Sequence, residues 1–468
     1  MSDLWTSEEI ASATGGTASA SFTASGVAFD SREVTTGDLF VAMKGEATDG
    51  HRFIDKAFDQ GAAGAIVSQP VDQPHILVKD SAAALEALGR AARKRMSGKV
   101  IGVTGSVGKT GTKEALFQAL DRAAPGTVHR SVKSYNNHVG VPLSLARMPR
   151  DSGFGIFEMG MNHAGELSAL TRMVRPHAAI VTAIAPAHIE FFGSEAAIAE
   201  AKGEIFEGLE PGGTAIIPYD SPHVATLYNK AERYAARILT FGLREGADVR
   251  ASEAVPAPGG GTLVTATLPG AELCFTISAP GEHWVSNALA ILAAVEAVGG
   301  DLGIAGLALA ELPGLPGRGE RQRLAVGGGE ALLIDESYNA NPLSMAATLR
   351  QLGREEAQRR IAVLGGMREL GERSVELHEG LAGPLTSGRV DYAILVGAEM
   401  TPLAHALDGV LAFDHVADAD AASELLQKRM QAGDAILVKG SNGIGLSRLV
   451  AALKKNMSRC AAHGKDTD

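Results

Sequence analysis

The spacing of apolar residues in the first hundred positions predicts a small mixed unit of strands and helices. The apolar run GDLFVAM at 37–43 is typical of a strand. Residues 51–61 carry four apolar side chains at helical spacing and end at a glycine. A longer helix is predicted over 81–96, with Ser81 as its cap and basic residues in its last turn, where the helix dipole favours positive charge.

From residue 98 the pattern changes to apolar runs that are each followed by a turn and a helix. The runs at 99–105, 154–160 and 178–184 have the continuous hydrophobicity of strands buried on both faces of a parallel sheet. Between 238 and 280 polar and apolar residues alternate around a Pro-Gly turn, which predicts an antiparallel section. A helix is predicted over 281–300, where it ends in two glycines.

A segment rich in Pro, Gly and Arg at 312–323 predicts a linker or hinge. Beyond it, four apolar strands alternate with helical segments, which is the rhythm of a doubly wound parallel sheet. The sequence therefore predicts an α/β protein of three domains. They are a small mixed α/β N-terminal domain at 1–97, a central parallel-sheet domain with an antiparallel subsection at 98–313, and a C-terminal Rossmann-like doubly wound domain at 314–468.

Composition and charge narrow the classes of function. Of the 468 residues, 45% are hydrophobic and 21% are charged, so the chain can bury real cores. The formal net charge is −11 and only 5% of residues are aromatic, so we expect no general nucleic-acid binding, which needs a basic face. Cys274 and Cys460 lack CxxC spacing, which disfavours a disulfide scaffold or a cysteine-rich zinc site. The start has no signal-peptide pattern and no run reaches the ~20 apolar residues of a membrane span, so we expect a cytoplasmic protein.

The strongest local signal is the segment Gly105-Ser106-Val107-Gly108-Lys109-Thr110-Gly111, between a predicted strand and a predicted helix. Glycines let consecutive backbone N–H groups converge on a phosphate, and the helix N-terminus adds partial positive charge. The lysine of such a loop reaches the β- and γ-phosphate oxygens, and the threonine hydroxyl can bind Mg²⁺. The loop is of the shorter GxxGKT type and predicts ATP or GTP binding. The reaction stays open, because ATPases, kinases, nucleotide switches and ligases share this loop.

Three further residues are marked by their positions. Glu158 ends one predicted strand and His188 follows another, so both are placed at the carboxyl edge of the parallel sheet, where ligands gather. An acidic residue there suits Mg²⁺ bound to phosphates, and an exposed carboxylate or a packed histidine is the plain alternative. Lys202 falls inside the apolar arc of a helix predicted over 194–209. It is either a snorkelling lysine or a lysine held inward, where desolvation favours its neutral, reactive form.

Nine segments along the chain carry a resemblance to a known family. In order they are TGSVGKT, NNHVGVPLSL, FEMGMNHAGEL, AHIEFFGS, AKGEIF, SNALAI, PGR, IDESYNANPLSM and LVKGS. Together they resemble the Mur ligase family of peptidoglycan synthesis, and residues 29–53 are similar to the family's uridine-nucleotide-binding domain. The resemblance covers roughly residues 27–450. Within the family, NNxxGVPLSL, EMGMNHxGEL and DxSYNANPxSM look like the member that adds D-alanyl-D-alanine.

The resemblance implies an ATP-dependent ligase of cytoplasmic cell-wall precursor synthesis, on which cell shape and division depend. It implies that ATP phosphorylates the C-terminal carboxylate of UDP-N-acetylmuramoyl-tripeptide and that the amine of D-Ala-D-Ala attacks the acyl phosphate. Metal ions and cations have to screen the repulsion between two anionic substrates. The implied partners are therefore these small molecules and Mg²⁺ at two sites, with no nucleic acid, no membrane insertion and a monomeric chain.

Matched motif by motif, the resemblance also implies residue roles. Lys109 and Thr110 hold the phosphates and the first Mg²⁺, Glu158 is a metal ligand, and His188 binds a second Mg²⁺. Lys202 matches the family lysine that CO₂ carbamylates, which turns a cation into a carboxylate-like ligand and favours the inward alternative for this side chain. The other matches are Asn287 for the adenine, Arg318 for the γ-phosphate, Asp335 or Glu336 for the ribose, Ser31 and Arg32 for the uridine part, and Asn136 and Asn137 for the sugar-peptide part.

The chain departs from the family pattern near the nucleobase and in the C-terminal domain. His283-Trp284 stands where His-Asn is usual, Gly366 and Arg368 replace an acidic and an apolar residue, and no arginine follows Ser441. Three alternatives stay open. A family ligase that adds a single amino acid usually carries a DNPR signature, which this sequence lacks. A non-catalytic regulator is expected to have lost the phosphate-loop lysine or the metal ligands. The negative net charge of the chain disfavours a nucleic-acid-dependent motor.

Overall fold

The computed structural model describes residues 3–45, 48–187, 189–258 and 260–463, with side chains to residue 455. These residues form three α/β units, built on sheets of five, nine and six strands, with a two-stranded ribbon beside the first. Parallel pairing dominates all three large sheets. The predicted fold class, with its antiparallel subsection and its doubly wound third unit, is confirmed.

The N-terminal unit is a small parallel sheet with helices packed against it. Its strands are Trp5–Thr6 (β1), Thr17–Ala18 (β2), Thr23–Ala24 (β3), Gly26–Ala28 (β4), Asp38–Val41 (β5), Gly64–Val67 (β6) and His75–Leu77 (β7). Its helices are Ser7–Thr14 (α1), Ile54–Asp59 (α2), which follows a 3₁₀ turn at Gly50–Phe53, and Ser81–Arg95 (α3). The strand order is β2-β7-β6-β5-β4, and β2 pairs antiparallel with β7.

The start of α3 differs from the prediction. Asp80 caps this helix, because its carboxylate accepts from the backbone N–H groups of Ala82 and Ala83 at 2.7 and 3.2 Å. Ser81 is the first helical residue and is buried. The prediction of Ser81 as the cap is therefore wrong: two adjacent residues can both cap, and the carboxylate is the one that reaches the free N–H groups.

The central unit carries the longest sheet. Its strands are Lys99–Thr104 (β8), Val128–Arg130 (β9), Phe154–Glu158 (β10), Ala178–Val181 (β11), Thr214–Pro218 (β12), Arg237–Gly242 (β13), Val249–Pro256 (β14), Thr262–Leu268 (β15) and Ala271–Ile277 (β16). Its helices are Lys109–Ala123 (α4), Gly140–Ala146 (α5), Glu166–Val174 (α6), Ile189–Phe192 (α7), Glu195–Gly203 (α8), Val224–Ala231 (α9), Glu282–Ala297 (α10) and Leu302–Ala310 (α11). The order is β16-β15-β14-β13-β12-β11-β8-β10-β9, with antiparallel pairing at β14-β15-β16.

This strand order positions the site. Strands β11, β8 and β10 are neighbours and run parallel, so their carboxyl ends meet at one edge of the sheet. The phosphate loop follows β8, Glu158 is the last residue of β10, and Thr182 directly follows β11. The strands are buried along almost their whole length, which explains their unbroken apolar sequences.

The helix predicted over 194–209 is two elements. The α-helix α8 ends at Gly203, and a 3₁₀ helix continues over Glu204–Gly208. Glu204, the first residue of the 3₁₀ helix, accepts from the backbone N–H of Gly165 at 2.8 Å and so holds the start of α6. Lys202 therefore lies in the last turn of α8 rather than in mid-helix.

The third unit is a six-stranded sheet. Its strands are Glu320–Val326 (β17), Gly329–Glu336 (β18), Arg359–Gly365 (β19), Tyr392–Val396 (β20), Phe413–Val416 (β21) and Asp434–Lys439 (β22). Its α-helices are Pro342–Leu352 (α12), Ser374–Glu379 (α13), Ala382–Ser387 (α14), Thr401–Leu407 (α15), Ala419–Arg429 (α16) and Leu446–His463 (α17). Short 3₁₀ helices lie at Gly371–Arg373, Ala398–Met400 and Asn442–Ile444. The order is β17-β18-β22-β19-β20-β21.

The predicted linker at 312–323 is shorter than expected. Residues 320–323 belong to β17, which pairs antiparallel with β18 as an edge strand. Its charged residues are tolerated because they point to solvent on that edge. No helix in the described part of the chain is long and apolar enough to cross a membrane.

Candidate active site

Two glycines set the path of the phosphate loop. Gly105 has a φ of 152°, and a Cβ there would lie 1.8 Å from Thr182 Oγ1, so this position needs glycine. Gly108 has a φ of 84° and stands directly before α4. Ser106 Oγ donates to the Ala185 carbonyl and accepts from the Ala185 N–H, each at 3.0 Å. The loop is therefore fixed to the segment that follows β11.

Lys109 opens α4 and folds back over the loop. Its Nζ donates to the Gly105 carbonyl oxygen at 2.6 Å. Burial lowers the pKa of this lysine, the charge of Glu158 raises it, and the charge of Arg318 lowers it further. The ammonium thus lies where a bound phosphate can replace the carbonyl as its acceptor.

A buried carboxylate joins the phosphate loop to the next strand. Glu158 is 1% exposed and accepts from the Thr110 hydroxyl and from Asn136 Nδ2, both at 2.7 Å. Its own backbone N–H donates to Ser131 Oγ at 3.3 Å. The hydroxyl and the carboxylate place hard oxygen ligands beside the loop.

These groups line one large cavity between the central and third units. Its volume is about 690 Å³, in the range of small-molecule sites. The residues singled out from the sequence that line it are Ser106, Val107, Gly108, Lys109, Thr110, Gly111, Asn136, Glu158, Lys202, Asn287, Arg318 and Glu336. Asn287 comes from α10, and its Oδ1 would lie 3.0 Å from a Cβ at Gly108.

Lys202 points inward rather than out to solvent. It is 1% exposed and lines the cavity from the end of α8. Burial, and then the charge of Lys109, lower its pKa well below the ordinary value. The lowered pKa increases the fraction of neutral amine, which is the nucleophilic form of a lysine.

The third unit contributes a guanidinium from the hinge. Arg318 reaches across to the central unit, where its Nη2 lies 3.4 Å from Ser134 Oγ, and it stacks on the Tyr338 ring at 4.0 Å. A second link is the ion pair of Arg354 with Glu282 at 3.3 Å. The two units are therefore in contact around the cavity.

The two acidic residues at the end of β18 point in different directions. The Asp335 carboxylate accepts from the Gly317 N–H at 3.0 Å and from Ser337, so it fixes the hinge. Glu336 faces the cavity, where Lys439 Nζ lies 3.4 Å from its Oε2. Of the two, Glu336 is therefore the one that lines the cavity.

Other residues singled out from the sequence lie elsewhere. Among the described residues, Ser31, Arg32 and Asn137 do not line this cavity. Arg32 pairs with Asp30 through its Nη2 at 2.6 Å on the surface of the N-terminal unit, and Ser31 is buried beside it. Asn137 accepts from the Gly140 N–H at 2.9 Å and holds the start of α5. His188 lies outside the described residues.

Two buried lysines were missed by the sequence analysis. Lys113 is fully buried and its Nζ donates to the carbonyls of Ser131 and Lys133 at 2.8 and 2.7 Å, which positions the loop that carries Asn136. Lys439 is 2% exposed and donates to the Asn339 carbonyl at 2.9 Å. A signal existed for both: Lys113 follows Lys109 by one helical turn, and Lys439 ends an apolar strand.

Two side-chain oxygens at the phosphate loop are possible ligands for a divalent cation. In the part of the chain that the structure describes, no group of three or more His, Cys, Asp or Glu side chains is placed to hold a metal. Thr110 and Glu158 do present two oxygens at the phosphate loop, which suits Mg²⁺ that keeps waters and phosphate oxygens as its other ligands. The residues present therefore fit a magnesium ion carried by a nucleotide.

Comparison with known proteins gives family matches along most of the chain. Residues 23–96 match the Mur ligase family catalytic domain, 103–295 the Mur ligase middle domain, and 317–442 the Mur ligase glutamate ligase domain. A UDP-N-acetylmuramoyl-tripeptide--D-alanyl-D-alanine ligase of Escherichia coli (strain K12) is 34% identical over 441 residues, which is 93% of this chain and 95% of the relative.

Two solved structures extend this likeness to the fold. A crystal structure of MurF from Acinetobacter baumannii has a TM-score of 0.83 at 30% identity and covers 96% of this chain and 99% of its own. The structure of MurF ligase from Thermotoga maritima in complex with ADP has a TM-score of 0.77 at 28% identity, with 93% and 98% covered.

Proposed function

The chain belongs to the Mur ligase family, and from that premise we propose that it joins D-alanyl-D-alanine to UDP-N-acetylmuramoyl-tripeptide with ATP as the energy source. The similarity over nearly its full length to ligases of that name supports this assignment. The observation that carries it is the cavity between the central and third units, where the phosphate loop, Glu158 and Arg318 meet. ATP use is supported further by the related structure that holds ADP.

The proposed reaction has two steps. The tripeptide carboxylate oxygen attacks the γ-phosphorus, a P–O bond forms, and the bond to ADP breaks. The amine of D-Ala-D-Ala then attacks the acyl carbon, an amide forms, and phosphate leaves while the amine loses a proton. Lys109 and Arg318 oppose the negative charge that gathers in the first step, which is how phosphoryl transfer is assisted in general.

For the metal, Thr110 and Glu158 are the residues we assign to Mg²⁺. When bound, the ion offsets phosphate charge. Asn136 keeps the Glu158 carboxylate in place through the 2.7 Å bond to Oε1. His188 is proposed for a second ion on the resemblance alone.

Lys202 is proposed to carry a carbamate. The neutral Nζ adds to the carbon of CO₂, an N–C bond forms, and one N–H proton is released. The product is an anion with two oxygen atoms, which suits a second Mg²⁺ better than an ammonium does. Burial of the side chain and its lowered pKa support this assignment.

The remaining assignments follow the family. We propose boundaries at 1–97, 98–313 and 314–468, with the first domain binding the uridine part of the substrate through Ser31 and Arg32. Asn136 and Asn137 are proposed for the sugar-peptide part, Asn287 for the adenine and Glu336 for the ribose. We propose a cytoplasmic monomer that acts in peptidoglycan synthesis.

The test compares amine donors in the same assay. With UDP-N-acetylmuramoyl-tripeptide and ATP present, ADP release is measured with D-Ala-D-Ala and with single amino acids such as diaminopimelate or lysine. Rapid release only with the dipeptide supports the assignment. Turnover with a single amino acid and none with the dipeptide identifies the chain as another ligase of the family.

A further inference from the structure

A second cavity of about 200 Å³ adjoins the one that holds the phosphate loop. It lies under the hinge, between the loop before α10 and residues 312–321. The two cavities share a wall, formed by His283, Trp284, Arg318, Glu336, Thr348 and Gln351. A nucleotide whose phosphates lie on the loop therefore has a pocket beyond them, and Trp284 stands at the entrance.

Trp284 and Asn287 are one turn apart on α10 and share the face that meets the phosphate loop. A Cβ at Gly108 would lie 3.0 Å from Asn287 Oδ1, and a Cβ at Gly111 would lie 3.1 Å from Trp284 Cη2. The indole is half-buried, packs against the central core and lines both cavities. The aromatic ring therefore lies beside the first turn of α4 and lines the cavity.

We propose that Trp284 is the surface on which the nucleobase stacks, and that it selects purines over pyrimidines by stacking area. The inference rests on the proposed function, since it assumes that a nucleoside triphosphate occupies the phosphate loop. Every base has a π-face that can stack on an aromatic ring, and the two-ring face of a purine gives more contact area than the single ring of a pyrimidine. An indole face has no hydrogen-bonding atoms that read the edge of a base, so Trp284 does not separate adenine from guanine.

The chain provides its own optical probe. Its two tryptophans are Trp5 and Trp284. Trp5 is 2% exposed in the N-terminal unit, where its Nε1–H donates to the Ala146 carbonyl at 2.8 Å and Arg95 stacks on its ring. Quenching of fluorescence by a bound base therefore reports on Trp284.

The test measures dissociation constants of ADP, GDP, CDP and inorganic tripolyphosphate by calorimetry. For Trp284→Leu we expect ADP and GDP affinity to fall alike, by about 5- to 150-fold, the range seen when one stacked base loses its ring. CDP should lose less, and tripolyphosphate should bind as to the wild type, because it has no base. Trp284→Phe keeps a ring and should stay within a few-fold of the wild type.

Fluorescence adds an independent readout. Trp5→Phe should keep the quenching by ADP, and Trp284→Phe should abolish it. The inference is overturned if Trp284→Leu binds ADP as the wild type does, if tripolyphosphate affinity falls as far as ADP affinity, or if Trp284→Phe is as weak as Trp284→Leu. Should the wild type bind neither ADP nor tripolyphosphate, the proposed function itself fails, which is a distinct outcome.

Discussion

The Glu158 side chain can be changed at a single position, which tests its role in turnover while the fold is kept. Replacing it with glutamine exchanges one carboxylate oxygen for an NH₂ group and keeps the shape of the side chain. Asn136 can still donate to the remaining oxygen, and the Thr110 hydroxyl can turn to accept from the new amide. We therefore expect Glu158→Gln to fold and to lose the negative charge at the phosphate loop.

The size of the two effects follows from the contacts. Bonds to a charged acceptor contribute about 1.5–3 kcal/mol each and neutral ones about 0.5–1.5 kcal/mol, so two weakened bonds lose about 2–3 kcal/mol in total. Removing a carboxylate that is 1% exposed relieves a desolvation penalty of several kcal/mol, which offsets this loss. Stability should therefore change by about 2 kcal/mol or less. Turnover should fall at least about 100-fold. Replacing residues that only hold a metal ligand in place already lowers metal affinity or activity about 10- to 100-fold.

Urea denaturation and phosphate release at saturating Mg²⁺ measure the two effects. Glu207→Gln is the matched control: this carboxylate also has two partners, Ser168 Oγ at 2.6 Å and Arg172 at 2.9 Å, and lies outside the cavity. The control should stay active. A Glu158→Gln enzyme with more than about a tenth of wild-type turnover would refute the role assigned to the carboxylate.

Four further outcomes are expected. Lys109→Ala should abolish turnover while calorimetry still detects weak ATP binding, because the backbone N–H groups of the loop remain; wild-type turnover would exclude the phosphate-loop assignment. Lys202→Ala and Lys202→Arg should both be inactive yet folded by circular dichroism, with partial rescue of the alanine variant by added acetate, and a fully active arginine variant would rule out the carbamate. Burial lowers the pKa of His129 from 6.5 to about 4, so this residue favours folding above pH 6.5, and that contribution is lost as the pH falls toward 4. The urea midpoint of His129→Gln should therefore drop less than that of the wild type between about pH 7.5 and about pH 5. An equal drop in the two proteins would contradict this. ATP with tripeptide should reduce the radius of gyration in small-angle scattering, because phosphates bound to Arg318 would hold the third unit against the central unit; an unchanged radius would count against closure.

Much of the fold follows from hydrophobic pattern because parallel strands are buried on both faces. Strands β8, β10 and β22 read as apolar runs, and the phosphate loop and Glu158 are placed by the end of a strand. The edge strand β17 was missed, since its exposed charged residues do not alternate as a half-buried strand does. A strand of this kind is specified by pairing with β18 rather than by its own sequence.

The site was harder to predict where it depends on distant parts of the chain. Lys202 could be placed on an apolar helix face, but its burial depends on the core around α8, which only the fold assembles. The choice between Asp335 and Glu336 depends on Gly317 in the hinge, because its backbone N–H donates a hydrogen bond to the Asp335 carboxylate. Adjacent residues on a strand point to opposite faces, so one of the pair had to turn from the cavity, and the sequence alone did not say which.

We expect ATP to activate the tripeptide carboxylate as an acyl phosphate. The most direct test uses UDP-N-acetylmuramoyl-tripeptide with ¹⁸O in that carboxylate, together with ATP, Mg²⁺ and D-Ala-D-Ala, and analyses the products by mass spectrometry. An acyl-phosphate route puts one ¹⁸O atom in the released phosphate for each amide bond formed. Unlabelled phosphate, or ADP release without the joined product, would contradict it.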